Sequence, residues 1–101
     1  MMGDITADCT IRFGALTSGV TEIVVEAPAT ADDGDTIALT LASYGIKVFL
    51  SARGYIQTTA NSVIALEDPT TSVTSGVLTL TVGGSTDNKQ RTYYVYGRGA
   101  K

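Results

Sequence analysis

Apolar and polar residues alternate along most of this chain, and few folds can satisfy that period of two. In residues 4–13, Ile5, Ala7, Cys9, Ile11 and Phe13 fall on one side and Asp4, Thr6, Asp8, Thr10 and Arg12 on the other. Successive side chains of a strand point to opposite faces, so the segment reads as a strand with one face buried. Residues 20–27 repeat the pattern, with Ile23 and Val25 inward and Glu22 and Glu26 outward. Residues 36–42 follow with Ile37, Leu39 and Leu41 inward, and residues 76–82 with Leu78, Leu80 and Val82. Three further strands are expected at 46–57, kinked at Gly54, at 62–67 and at 90–97.

Clusters of Gly, Pro, Asp, Asn and Ser separate these runs, at 14–19, 28–35, 43–45, 58–62, 68–75 and 83–89. Glycine supplies positive φ there, and the short polar side chains bond back to the backbone. About seven short strands with such punctuation predict an all-β domain, an antiparallel β-sandwich that is Ig-like or barrel-like. Helix propensity is best over 37–45, but the strict alternation there favours a strand. The irregular stretch Asp68–Ser75 suits a crossover between two sheets. The 101 residues make one domain over 1–101, large enough for a modest core.

Charged residues are only 17% of the chain, against about 25% in an ordinary domain. Either a partner covers part of the surface, or Thr and Ser supply the polarity. Net charge is −3 and no Lys/Arg run exists, so no nucleic-acid footprint is expected. The single cysteine rules out an intrachain disulfide. No apolar run has the length of a membrane helix. Met1-Met2-Gly3-Asp4 has the features of no signal peptide, so folding in a cytosol is expected.

The sequence contains no histidine, which removes the commonest general base and the usual triads. Cys9, on the apolar side of the first strand, is expected to be an inert packing residue. The carboxylates fall mainly on polar strand faces or in turns, so neither catalysis nor a cofactor is expected. Asp32-Asp33-Gly34-Asp35 could offer oxygen ligands to calcium, but its spacing is not that of an EF-hand loop. The other reading is a hairpin with Asp-Gly at its tip. Gly83-Gly84-Ser85 lacks the Lys and the helix of a phosphate loop and reads as a turn.

Tyr93-Tyr94-Val95-Tyr96 is apolar on both sides of one strand. With Tyr93 and Val95 in the core, Tyr94 and Tyr96 face outward. On 46–57 the same logic turns Lys47, Phe49, Ser51, Arg53 and Tyr55 outward. Should the two strands be neighbours, Phe49, Arg53, Tyr55, Tyr94, Tyr96 and Arg98 share one surface. Aromatic and Arg side chains anchor interfaces, so this set is the candidate partner interface. The other readings are that a loop covers this face or a barrel buries it, or that it stacks on sugar rings, as in a carbohydrate-binding or adhesion module.

The start Met2-Gly3-Asp4-Ile5-Thr6, the Thr/Gly/Ala-rich strands, and residues 75–89 running on into Arg91-Thr92-Tyr93-Tyr94-Val95-Tyr96-Gly97 together resemble the small β-rich virion proteins of tailed bacteriophages. The likeness is to head decoration (cement) proteins above all, and a phage tail β-domain would share it. It implies a non-enzymatic role in the virion after synthesis in the host cytoplasm. Copies, often trimers, would bind the major capsid protein and tie its subunits together. The N-terminal segment could alternatively add to a partner's sheet edge.

Overall fold

The computed structural model describes residues 3–16, 19–28, 30–59, 63–83 and 89–99. Its strands are β1 (Thr10–Ala15), β2 (Val20–Ala27), β3 (Thr36–Thr40), β4 (Val48–Thr59), β5 (Val63–Leu66), β6 (Thr70–Thr74), β7 (Val77–Thr81) and β8 (Arg91–Arg98). They form two antiparallel sheets, a large one in the order β1-β2-β8-β4-β5 and a small one in the order β3-β7-β6. The chain is an all-β sandwich.

The alternation builds the core. Ile23, Val25 and Ala27 of β2 and Tyr93 and Val95 of β8 face Ile37 and Leu39 of β3 and Leu78 and Leu80 of β7, all buried. Val82 joins them just beyond β7, and Leu41 joins from a short 3-10 turn over Leu41–Tyr44 that ends β3. Burying each large aliphatic chain contributes about 1.5–3 kcal/mol, so this single cluster supplies most of the driving force for folding.

Four local expectations are corrected. First, residues 4–13 are not one strand. Asp4 Oδ1 accepts bonds from the Thr6 amide and the Thr6 hydroxyl, which winds Thr6–Asp8 into a 3-10 turn before β1 begins. Ile5, Cys9 and Ile11 still pack against the core, but Phe13 is 57% exposed. Its strand is an edge of the larger sheet, and only three strands lie opposite five. Its ring meets Tyr44 edge-on at 4.8 Å.

Second, Thr70–Thr74 is a strand and not an irregular stretch, which raises the number of strands to eight. Every residue of it is exposed, so it carries no hydrophobic period to be read. It pairs with β7 through a two-residue turn at Ser75 and Gly76, whose φ values of 51° and 76° define the left-handed geometry a tight hairpin needs. The crossing between sheets falls on residues 67–69.

Third, β4 contains a bulge. Phe49 pairs with Gly97 and Ser51 with Tyr96, leaving Leu50 unmatched. The extra residue reverses the parity of the strand, so Phe49 turns inward and packs against the core. The kink expected at Gly54 is instead a close approach. A Cβ there would strike the Glu67 carbonyl and lie 2.7 Å from the Tyr93 ring. The Gly54 carbonyl accepts the Glu67 amide at 2.8 Å, and its own amide donates to Asp68 Oδ1 at 3.0 Å.

Fourth, the Asp32–Asp35 turn joins strands of different sheets and is not a hairpin tip. Asp35 is 4% exposed, and its two carboxylate oxygens accept the amides of Gly3 at 3.0 Å and Asp32 at 2.8 Å. The carboxylate ties the N-terminal segment to the turn. Of the Gly83-Gly84-Ser85 reading, Gly84 and Ser85 lie outside the described residues.

Candidate interaction surface

The condition on which the aromatic surface depended is met, because β4 and β8 are neighbours. On the outer face of the large sheet, cross-strand partners stand in rows. Leu66, Tyr55 and Thr92 form one row, and Arg53, Tyr94, Val24 and Arg12 form the next. Ser51, Tyr96 and Glu22 form a third. Tyr55, Tyr94, Tyr96, Gln57, Thr92 and Ile64 line an open depression of about 500 Å³. The Tyr55 and Tyr94 rings meet edge to face, 5.8 Å apart and inclined by 77°.

Of the six expected interface residues, Tyr55, Tyr94 and Tyr96 come together here, with Arg53 directly across from Tyr94. Arg98 shares the outer face one step beyond Tyr96, opposite Val20 and Val48. Its Nε is enclosed with no hydrogen-bond acceptor among the described residues. Phe49 does not belong to the surface, because the bulge at Leu50 turns it inward.

Two residues outside the expected set enlarge the surface. Ile64 is 62% exposed and Leu66 57% exposed, and both sit on the face that carries Tyr55 and Gln57. A signal for them was present, since Val63-Ile64-Ala65-Leu66 is apolar on both faces of a strand. One face was therefore bound to meet solvent or a partner.

The charges on this face are largely satisfied by one another. Arg12 Nη1 meets Glu26 Oε1 at 2.7 Å, and Arg53 Nε meets Asp68 Oδ1 at 3.3 Å. The Tyr96 hydroxyl donates to Glu22 Oε2 at 2.9 Å, and this bond, ahead of desolvation, raises the phenol above its usual range. Rings and aliphatic chains are left as the feature that water solvates poorly. Such a surface gains by desolvation against another surface.

Elsewhere, the described residues include no group of three His, Cys, Asp or Glu side chains able to hold a metal ion. Cys9 is half-buried, donates through Sγ to the Ile5 carbonyl at 3.3 Å, and is pushed up to about 11 by burial, with Asp8 and Asp4 adding to it. No helix among the described residues is long and apolar enough to cross a membrane. Arg91, which the strand pattern leaves unremarked, is fully buried. It donates from Nε to Glu67 Oε1 at 2.6 Å and from Nη1 to the carbonyls of Ala31 at 2.8 Å and Lys89 at 3.2 Å. It is a structural clamp on the inner side of the sheet whose outer side carries the tyrosines. No family model matches the chain, and no curated protein or solved structure matches it.

Proposed function

We propose that this protein is a non-enzymatic structural module that binds a partner protein through the outer face of its large sheet. The observation that carries the reading is the continuous strip from Ile64 and Leu66 through Tyr55 and Tyr94, with its neighbouring charges already paired. Exposed aliphatic chains beside aromatic rings are the composition of a protein interface core rimmed by polar groups. Two rings inclined by 77° lack the coplanar platform that successive sugars stack on, which favours a protein over a glycan. The resemblance to phage decoration proteins supplies the assembly: a capsid shell, with the major capsid protein as partner and the virion as the final location. On a shell, many modest contacts add through multivalency, so no single tight site is required.

The test is co-sedimentation of the purified chain with shells assembled from the major capsid protein of the same genome. Wild type is expected to saturate the shells. Tyr94→Ala combined with Tyr55→Ala is expected to weaken binding roughly 30-fold or more, the loss of about 2 kcal/mol that defines an interface hot spot. Equal binding by wild type and variant, or none by wild type, overturns the reading. Saturable glycan binding abolished by the same pair of substitutions would replace it with the sugar-binding alternative.

A further inference from the structure

The sandwich has four sheet edges, and they are not treated alike. A strand edge presents unpaired amides and carbonyls, and proteins guard such edges with charge, brevity, bulges or a covering segment. The β3 edge is covered by the N-terminal segment. Thr36 exchanges backbone bonds with Gly3 and Ile5, and the Ala38 amide donates to Thr6 Oγ1 at 2.8 Å. The β1 edge carries the Arg12–Glu26 ion pair. The β5 edge is only four residues long and its pairing with β4 is broken by an irregularity. The β6 edge, Thr70-Thr71-Ser72-Val73-Thr74, has no charge, no internal proline and no bulge, and all of it is exposed.

The register of β6 decides which of its groups are available. In a two-residue hairpin the closing pair, here Thr74 with Val77, is hydrogen-bonded, and such pairs then alternate along the ladder. Thr70, Ser72 and Thr74 therefore bond to β7, while the amides and carbonyls of Thr71 and Val73 point away from it. Thr71 and Val73 pair with Leu80 and Leu78, so their side chains lie on the core side of the small sheet. Val73 is nevertheless 48% exposed, because the sandwich is open along this side.

We propose that the β6 edge pairs antiparallel with the β6 edge of a second copy of this chain, about a two-fold axis through Ser72. The strand is self-complementary in that register. Thr71 of one copy exchanges both backbone bonds with Val73 of the other, and the symmetric pair does the same. All of the outward-pointing groups of the edge are satisfied. Nothing along the strand repels its own copy, because residues 69–79 contain no charged side chain. The two small sheets become one continuous sheet, and each Val73 is covered by the Thr71 beside it. The contact is isologous and closes at two copies, so it builds a dimer and not a filament. It lies on the other sheet from the tyrosine face and leaves that face open for a different partner.

Light scattering coupled to size exclusion tests this at about 100 µM chain, where weak association is populated. Wild type is expected at twice the 10.5 kDa chain mass. Ser72→Lys sets two like charges on the axis, in a pair with Cα atoms about 4.5 Å apart, and is expected to give the single-chain mass with an unchanged circular dichroism spectrum. Mixing the Ser72→Lys and Ser72→Asp chains is expected to restore the doubled mass. Thr71→Pro removes an outward amide without touching the β6–β7 ladder and is expected to dissociate the pair as well. Tyr94→Ala is expected to leave the mass doubled. A wild type of one or three chain masses, or a doubled mass that survives both Ser72→Lys and Thr71→Pro, overturns the proposal.

Discussion

Glu67→Ala removes the carboxylate that Arg91 Nε meets at 2.6 Å inside the sandwich. The Arg91 side chain has no exposure, whereas that of Glu67 retains 13%. Breaking a buried ion pair from one side costs about 3–5 kcal/mol, because a buried charge loses a counter-charge that offset its desolvation. Solvent can approach the vacated carboxylate position, which puts the expected cost near the lower end, at about 3 kcal/mol. A chain of this size is held by about 5–15 kcal/mol in total, so the loss is a large share of its stability. It corresponds to a fall in Tm of roughly 12–24 °C. Arg91→Met acts differently. It deletes the charge, keeps an apolar stem, and lets Glu67 rehydrate at the rim, while the Ala31 and Lys89 carbonyls lose a donor. That costs about 1–3 kcal/mol. The double variant Arg91→Met/Glu67→Ala removes both partners of the pair and is expected to cost less than the sum of the two single changes. Urea unfolding at one fixed protein concentration measures all three. A cost below about 1 kcal/mol for Glu67→Ala, or strictly additive effects in the double variant, would refute the clamp.

Two further predictions concern titration. The Tyr96 phenol is raised above its ordinary value of 10.0, chiefly by its bond to Glu22. The neutral phenol is the favoured form, so the contribution of this bond is complete below that value and is lost as pH rises through the higher folded one. Ultraviolet titration should show one tyrosine that ionises earlier in Glu22→Gln than in wild type, and superimposable curves would contradict the assignment. Cys9, pushed up to about 11 from 9.0, should react with an aromatic disulfide reagent at pH 8 roughly 10-fold more slowly than an unperturbed thiol, because the loss of thiolate outweighs the greater nucleophilicity of a more basic one. A rate equal to that of free cysteine would mean that its environment is not the half-buried one described.

Inward alternation at Ile23, Val25, Ile37, Leu39, Leu78, Leu80, Tyr93 and Val95 is a property of consecutive residues. The all-β sandwich, its core and the outward direction of Tyr94 and Tyr96 were therefore legible from the chain alone. Strand β6 was not, because an exposed edge strand of threonines is stabilised only by its ladder to β7, and hydrophobic period carries no trace of that. The direction of Phe49 depended on one unmatched residue, Leu50, and a bulge is decided by how two strands distant in sequence come into register. The burial of Arg91 required Glu67 and the Ala31 carbonyl to converge from other segments. The sequence by itself determined which side of each regular strand is apolar, since that follows from a two-residue repeat. Only the tertiary structure decided which apolar sides are covered. Ile64 and Leu66 stand on the outer face of the large sheet and Val73 on an edge strand of the small one, so all three remain at the surface, where a partner or a second copy can reach them.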